Sequence, residues 1–555
     1  MTTKPSSPIE FSNSIDNVTD RIDTVATRLP SDFLSSLEEI CPSSASPTDL
    51  VEHARDWWPL AMHWALNAMT TRRPGVVCRP TSTIQVSDVV KLCAKSSVPV
   101  TVSGGRSGVC GAAVPLFAGV VIDTTDLHGV VSVDQLSGLI EVLPGTFGPD
   151  LENEINGKYK LSVGHFPQSF DISTVGGWIG SRGAGQFSTR YGKIDDMVAG
   201  LEVVLADGSI ILTGTEPAGA AGPDLTSLFI GSEGTLGIIT KVWLRAHPLP
   251  SCTKKAAFRF KTFAAAVETM RSAVRHGSTP AVLRLYDERE SKRSHGGDGT
   301  TCTLLILDEG VESLVDATLE IVADSAHANG GENAEAQIVD NWLGHRNDTS
   351  GLQILSKKGF VIDTMEVAVA WSRVNHVAES AHANGGENAE AQLVDNWLSH
   401  RNDTSGLQIL SKKGFVIDTM EVAVAWSRVN QVAESVKSSI MQVTGARSAS
   451  CHISHSYIDG ACIYFTFVAE PSDKDLQSVE LAYSQIWDAA QNAALQTGAN
   501  LTHHHGVGIN RAKYMKRALG PAHDVLASIK GALDPKDILN PGKFGITSKR
   551  GEYKI

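Results

Sequence analysis

The chain has 555 residues, of which 42% are hydrophobic and 20% are charged, and its formal net charge is −13. This length can bury a large core and accommodates two or three domains, whereas the acidic balance, with no basic block to offset it, argues against a nucleic-acid partner. No uncharged apolar run approaches the about 18 residues that a membrane span requires, and the first residues lack the apolar core of a secretory signal. Eight scattered cysteines without a CxxC pair indicate structural thiols in a reducing, cytoplasmic compartment.

The first half of the chain changes its pattern twice. Residues 1–50 are polar and rich in Ser and Pro, which predicts a loose arm that contains a little helix, and residues 51–70 predict a packed helical entry. From about residue 74 to 250 the pattern is glycine-rich, with a helix predicted at 87–95 and short apolar runs bounded by turns. These runs predict strands at 76–78, 98–102, 119–123, 138–142, 201–205 and 210–212, the last two joined by a hairpin turn at 206–208.

Beyond residue 250 the glycines become fewer and longer amphipathic segments appear. Helices are predicted at 263–276 and 311–329, with strands such as 303–307 between them. This change in pattern predicts a second domain.

An internal duplication lies in this second domain. Residues 325–379 recur as residues 380–434, a period of 55 residues with three differences: Ile338/Leu393, Gly344/Ser399 and His376/Gln431. Solenoid repeats diverge more than this and need about three copies for stability, so a recent tandem duplication is the better interpretation. We expect one copy to occupy the native position and the other to be a partly redundant excursion.

Three glycine-rich blocks occur before residue 250. Residues 101–108 (TVSGGRSG) directly follow a predicted strand, and successive N–H groups in such a turn form a concave anion site suited to a pyrophosphate. A tight turn after a strand has the same appearance, and the block lacks the GxGxxG spacing of the Rossmann fingerprint. Residues 165–185 and 231–240 are also rich in small residues and hydroxyls, and three such segments in one domain indicate an extended ligand.

Three adjacent histidines, His503, His504 and His505, run directly into the turn at 506–508. Each imidazole titrates near neutrality, so the cluster is able to bind a metal, move protons beside a cofactor, or form a solvated polar strand end. No cysteine or carboxylate completes a ligand set locally, and we predict no metal site. On an extended segment His503 and His505 would share one face while His504 points away.

The three glycine-rich blocks, in this order, resemble the flavin-binding domain of the vanillyl-alcohol-oxidase-type (PCMH-type) flavoproteins. Residues 454–465, together with the three histidines, resemble the alkylglycerone-phosphate synthase family. The resemblance implies an α+β fold with a two-subdomain PCMH-type FAD-binding domain and an α/β substrate (cap) domain of antiparallel sheet and helices. The expected domains are an N-terminal arm (1–72), the FAD-binding domain (73–250), the cap domain (251–475) and a C-terminal helical segment that completes the active site (476–555).

The resemblance also implies roles for individual residues. Tyr457 would be the acid/base residue over the flavin, and His503, His504 and His505 would line the same chamber. A tyrosine with a pKa of about 10 is a poor base unless a nearby positive charge lowers it, and the histidines are candidates for supplying that charge. Arg284 would lie near the substrate, although pairing with an acidic neighbour at the surface is an equal alternative. The residues that would contact FAD are Thr101, Val102, Ser103, Gly104, Gly105, Arg106, Ser107, Gln168, Ser169, Phe170, Asp171, Ile172, Ser173, Thr174, Ser181, Arg182, Gly183, Ala184, Glu233, Gly234, Thr235, Leu236, Gly237, Ile238 and Ile239.

Some positions depart from the family pattern. Gln168 replaces an aspartate, so any role of that carboxylate is absent here. Counting back from Trp426 to the expected phosphate-binding arginine reaches a leucine, and we therefore assign the phosphate to Arg401, whose duplicate is Arg346. No histidine lies in the loop 104–110, where covalent relatives tether the flavin, so we predict non-covalent, dissociable FAD.

The activity implied by the resemblance is a redox-neutral exchange of the acyl chain of acyl-dihydroxyacetone phosphate for a fatty alcohol. This is an ether-lipid synthesis through an adduct at flavin N5, with the protein supplying proton transfer and phosphate binding. Two alternatives stay open: an FAD-linked oxidoreductase of the 2-hydroxy-acid dehydrogenase or oxidase type, and an FAD-binding protein inactivated by its duplication. We expect a small lipidic or phosphorylated substrate, a homodimer, and peripheral contact with a membrane surface.

Overall fold

A computed structural model describes residues 10–345, 411 and 413–553. Arg401 and its duplicate Arg346 lie outside these residues. No helix of the described part of the chain is long and apolar enough to cross a membrane. The α-helices in the described ranges are Phe33–Ile40, Pro47–Glu52, Pro59–Leu66, Thr83–Ser96, Gly148–Tyr159, Val175–Ser181, Ser188–Tyr191, Ile194–Met197, Leu225–Phe229, Phe263–Arg275, Glu288–Ser294, Glu312–Ala328, Gln337–His345, Val429–Met441, Leu476–Gln496, Met515–Leu519 and Ala522–Leu533.

A four-stranded sheet begins the glycine-rich half. Its strand order is Ser43–Ser44, Val76–Cys78, Val120–Asp123 and Val100–Ser103, and the last three strands are parallel. The helix Thr83–Ser96 packs its apolar face on this sheet, and the Ser82 hydroxyl caps it by accepting the Gln85 N–H. The strands and the helix predicted for this region are confirmed, with shifted ends.

A five-stranded antiparallel sheet follows. Its strand order is Ile210–Gly214, Val198–Val204, Ile238–Arg245, Leu139–Val142 and Val130–Asp134. The first two strands form the predicted hairpin. The glycine-rich blocks meet where the two sheets join: the Glu233 N–H donates to Gly180 O at 3.0 Å, and a Cβ on Gly104 would lie 2.3 Å from Thr174 Oγ1.

A seven-stranded antiparallel sheet forms the second half. Its strand order is Glu332–Ala334, Cys252–Phe260, Cys302–Gly310, Val282–Tyr286, Ala446–Ser456, Gly460–Ala469 and Val416–Ala425. The helices Phe263–Arg275, Glu312–Ala328 and Val429–Met441 contribute buried side chains to one core with this sheet. The helices predicted at 263–276 and 311–329 and the strand at 303–307 are confirmed.

The two edges of this sheet come from different copies of the duplication. The edge strand Glu332–Ala334 belongs to the first copy, and the opposite edge strand Val416–Ala425 belongs to the second. The expectation that one copy alone occupies the native position is therefore wrong. Because the copies are nearly identical, the fold takes the beginning of one and the end of the other without a change in local sequence.

The N-terminal arm is packed rather than loose from about residue 18 onward. Ile22 is fully buried, and the Arg21 guanidinium makes two hydrogen bonds, of 2.7 and 2.8 Å, to the carboxylate of Glu480 in a C-terminal helix. Glu480 also accepts the Trp64 indole N–H at 2.7 Å. The polar composition of the arm hid these few anchoring contacts.

Candidate active site

A cavity of about 1200 Å³ extends from the glycine-rich blocks to the seven-stranded sheet. Pockets for drug-sized ligands usually measure about 300–1000 Å³, so this cavity has room for an extended dinucleotide and a substrate. The predicted FAD contacts that line it are Val102, Ser103, Gly104, Gly105, Arg106, Ser107, Gln168, Ser169, Ile172, Ser173, Thr174, Ser181, Gly183, Ala184, Glu233, Gly234, Gly237 and Ile239.

The other predicted FAD contacts are not among the lining residues: Thr101, Phe170, Asp171, Arg182, Thr235, Leu236 and Ile238. Strand alternation explains part of this, since neighbours on a strand point to opposite faces. Val102 lines the cavity, whereas the Thr101 hydroxyl lies 3.3 Å from Asn540 Oδ1 on the other side.

The wall of the cavity fits FAD. A Cβ on Gly180 would meet no atom within 4 Å, and one on Gly108 would come no nearer than 3.6 Å to another atom, so both glycines present bare backbone to the cavity. The buried Ser103 hydroxyl on the same wall has no hydrogen-bond partner within the described ranges. A polar atom of a ligand can satisfy it, as a phosphate or ribose would. Glycine backbone and an orphaned hydroxyl together suit an extended, oxygen-rich coenzyme.

Tyr457 and two of the three histidines form a chain of hydrogen bonds. Tyr457 Oη lies 2.8 Å from His503 Nε2, and His503 Nδ1 lies 2.8 Å from His504 Nδ1. His504 and His505 line the cavity, so the chain leads from Tyr457 through His503 to the cavity wall. The tight turn after the strand Ala446–Ser456 fixes Tyr457, whose N–H donates to Gly460 O at 2.8 Å.

The histidine segment is held by a carboxylate that the sequence analysis missed. Glu421 is fully buried, and its Oε1 accepts the backbone N–H groups of His503, His504 and His505 at 3.0, 3.0 and 2.9 Å. Its carboxylate also binds the guanidinium of the fully buried Arg511. The segment is therefore a bend around an anion, and the prediction of an extended strand with alternating faces is wrong. In the sequence, the signal that could have pointed to Glu421 was the presence of a carboxylate inside the apolar run 416–425.

A second buried carboxylate holds the turn that follows the histidines. Glu233 accepts the N–H groups of Val507 and Gly508 at 2.6 and 2.9 Å. Gly508 has a φ of 52°, and a Cβ there would lie 2.1 Å from Cys110 O, so the turn requires glycine. Glu233 was predicted to contact FAD, and it lines the cavity, but its carboxylate binds the protein backbone.

Four imidazoles lie at this part of the cavity, and we call His455, His503, His504 and His505 the chamber histidines. His455 and His503 are buried, whereas His504 and His505 are half-buried. His455, His504 and His505 line the cavity, and His503 lies behind them. Burial lowers the pKa of each, that of His503 to about 3, so the four rings are neutral at neutral pH. Burial also raises the pKa of Tyr457. The expectation that the histidines supply a positive charge to lower the pKa of Tyr457 is therefore wrong. A neutral phenol and neutral imidazoles form a relay that moves protons by exchange.

The same histidines meet the distance requirement of a metal site. Side-chain ligand atoms of His455, His503 and His504 lie within 4.8 Å of one another, a set that includes a residue distant in sequence. All three rings already make hydrogen bonds: His455 Nδ1 lies 2.7 Å from Ser188 Oγ, and His503 bonds both Tyr457 and His504. Each of the three rings is therefore already engaged in a hydrogen bond within the protein, and the relay itself runs through His503 and His504.

Arg284 lies at the far end of the cavity, where its residue is 8% exposed. Its Nε donates to Tyr286 Oη at 3.1 Å and its Nη2 lies 3.0 Å from His452 Nε2. It pairs with neither acidic neighbour in sequence, Asp287 or Glu288, so the alternative of a surface ion pair is wrong.

Fold and site together define a flavoprotein class. The family model "FAD binding domain" matches residues 74–214, and "FAD linked oxidases, C-terminal domain" matches residues 249–385 and 374–544. The chain therefore belongs to the FAD-linked oxidases, and its cofactor is FAD. The two C-terminal matches meet within the duplicated region.

Individual relatives point in two functional directions. The chain is 27% identical over 505 residues to alkyldihydroxyacetonephosphate synthase of Trypanosoma brucei brucei, a name synonymous with alkylglycerone-phosphate synthase. The matched region covers 88% of this chain and 75% of that protein. It is 28% identical over 478 residues to glycolate oxidase subunit GlcD of Bacillus subtilis, covering 85% and 89%. A solved alkyldihydroxyacetonephosphate synthase superposes with a TM-score of 0.69 at 22% identity, covering 98% of this chain and 89% of that one. A solved p-cresol methylhydroxylase superposes with a TM-score of 0.66 at 17% identity, covering 94% and 99%, and the two matches confirm the predicted PCMH-type α+β fold.

Proposed function

We propose that the chain is an alkylglycerone-phosphate synthase-like enzyme that exchanges the acyl chain of acyl-dihydroxyacetone phosphate for a fatty alcohol without net redox change. The observation that supports this best is the relay from Tyr457 through His503 to His504, which ends at a cavity that also contains Arg284. Synthases are among the relatives that cover most of the chain. When bound, FAD supplies the nucleophilic ring nitrogen, and the residues of this chain supply positioning and proton transfer.

The relay provides for the proton balance of such an exchange. The entering alcohol loses its hydroxyl proton as it becomes an ether, and the acyl group leaves as a carboxylate. His504 at the cavity wall is a neutral base for that proton, and His503 and Tyr457 extend the path away from the substrate. The Glu421 carboxylate fixes the backbone of this segment, which keeps the ring nitrogens in register.

A turnover experiment tests the proposal. FAD-loaded protein is incubated without oxygen with acyl-dihydroxyacetone phosphate and radiolabelled hexadecanol, and we expect a labelled alkyl product, release of fatty acid, and an unbleached flavin. A heat-inactivated sample is the control. Absence of alkyl product under conditions in which the protein keeps its FAD would reject the proposal.

A second candidate is an FAD-linked oxidoreductase acting on a 2-hydroxy acid, because a glycolate oxidase subunit and D-lactate dehydrogenases also match more than four fifths of the chain. Anaerobic addition of D-lactate or glycolate bleaches the flavin of such an enzyme. The homodimer, the contact with a membrane surface and the non-covalent attachment of FAD stay predictions.

A further inference from the structure

The end of the cavity at the seven-stranded sheet holds a group of polar and aromatic side chains that the proton relay does not use. The lining residues there are Arg284, Tyr286, Glu290, Ser294, His295, Asn341, Trp342 and His452. They come from neighbouring strands and from the helices Glu288–Ser294 and Gln337–His345. Their chemistry differs from that of the glycine-rich end, because here side chains rather than backbone form the wall.

His295 is the least satisfied of these residues. It is 5% exposed, and neither ring nitrogen has a hydrogen-bond partner in the parts of the chain that the structure describes. Its ring packs on Tyr286, with the ring centroids 4.1 Å apart. Burial lowers the pKa of His295 to about 3, so the ring is neutral and carries one N–H donor. A buried polar group without a partner costs stability, so a ligand that supplies an acceptor would bind there with a gain.

Arg284 and His295 both contact Tyr286, and fixed hydrogen bonds hold the guanidinium of Arg284 in place. Because an arginine has only donors, His452 Nε2 must accept from Arg284, and His452 Nδ1–H then donates to Glu290 Oε2 at 2.9 Å. Glu290 Oε1 accepts the Ser450 hydroxyl at 3.0 Å, so both carboxylate oxygens have donors other than Arg284. Arg284 Nη1 has no protein hydrogen-bond partner within the described ranges, and the guanidinium carbon lies 5.3 Å from the Trp342 ring.

We propose that His295 and Arg284 form a subsite for the oxyanion of the substrate, a phosphate or a carboxylate, at the end of the cavity that lies against the seven-stranded sheet. Arg284 supplies the charge and His295 a neutral N–H donor, while His452 and Glu290 position the guanidinium. An oxyanion accepts several hydrogen bonds at once, which satisfies both the orphaned imidazole and the open side of the guanidinium. The inference rests on the proposed function only in requiring a substrate with an oxyanion, which both candidate substrates carry.

Calorimetric binding tests this subsite without turnover. FAD-loaded full-length protein is titrated with inorganic phosphate, dihydroxyacetone phosphate and D-lactate. His295→Phe keeps the packing on Tyr286 but removes the donor, and we expect the dissociation constant of the bound probe to rise about 10- to 100-fold. His295→Gln keeps a donor and is expected to retain most of the affinity. His276→Gln, at an exposed histidine of the same domain, is the control and is expected to bind like the wild type.

The outcomes separate this inference from the proposed function. If dihydroxyacetone phosphate binds and its binding is lost in His295→Phe but kept in His295→Gln, the result supports both the subsite and the proposed function. The same pattern with D-lactate alone supports the subsite and contradicts a phosphate-bearing substrate. Equal binding of the probe by wild type and His295→Phe overturns the subsite and leaves the proposed function standing. If the wild type binds none of the three probes, the subsite is also overturned. The turnover experiment decides the proposed function independently.

Discussion

Replacement of Glu421 by glutamine is expected to loosen the histidine segment specifically. Although burial opposes ionisation, the Arg511 guanidinium keeps the pKa of Glu421 well below its usual value, so the carboxylate is charged. The substitution removes the partner of a fully buried arginine and replaces one acceptor oxygen of the carboxylate with a donor NH₂ group. Breaking such a buried pair costs about 3 to 5 kcal/mol.

The affected free energy is measurable as amide hydrogen exchange in the peptide that contains His503, His504 and His505. Their three N–H groups are protected by bonds to Glu421 Oε1. At about 1.4 kcal/mol per tenfold, the expected loss corresponds to exchange that is faster on the order of 100-fold or more. Peptides from the five-stranded sheet should keep their exchange rates.

The duplication supplies a matched control. Glu366 occupies the same position in the first copy, within the same local sequence Thr-Met-Glu-Val-Ala, and it lies outside the described residues. Because the edge strand that reaches the histidines comes from the second copy, Glu366→Gln should leave their exchange unchanged. Equal effects of the two substitutions, or no effect of Glu421→Gln, would refute the assignment of this carboxylate.

Further predictions concern the relay, the duplication and acid stability. Tyr457→Phe should lower kcat by about 10²- to 10⁴-fold while FAD absorbance is retained, because it removes one end of the hydrogen-bond chain. Tyr159→Phe, at a tyrosine in the helix Gly148–Tyr159 and outside that chain, should leave kcat unchanged. Deletion of residues 346–400 removes one period and preserves the local sequence at the junction, so FAD content and activity should stay within about twofold. A large gain in activity would instead indicate that the duplication inactivates the chain. The folded pKa values of the chamber histidines are lowered, so the unfolded state binds more protons below about pH 6.5 and stability falls as the pH falls. Urea midpoints at pH 7, 6 and 5 should show this loss of stability, at up to about 1.4 kcal/mol per histidine and pH unit. His455→Gln should reduce the pH dependence by the contribution of one histidine. A midpoint that does not vary with pH would contradict the assignment of neutral rings.

The sequence by itself determined the elements and the class of ligand. Short apolar runs between glycine-rich turns gave the strands near 76–78 and 120–123 and the hairpin around 206–208, because burial and turn chemistry act over a few residues. Three glycine-rich blocks pointed to one extended coenzyme, since small residues are needed wherever backbone lies against a ligand. The resemblance carried by these blocks and by residues 454–465 then led to FAD.

Only the tertiary structure decided which side chains act together. Glu421 and the histidine segment are 82 to 84 residues apart in sequence, and nothing local to either one predicts that the carboxylate bends the other around itself. The sequence suggested charged histidines that lower the pKa of Tyr457, but in the fold the histidines are neutral and the pKa of Tyr457 is raised. Sequence does not predict this, because desolvation of a cluster depends on how completely the fold buries it. The sequence also leaves open which copy of the duplication supplies each edge strand of the seven-stranded sheet, because the local sequence is nearly the same in both. Only long-range strand pairing distinguishes the copies.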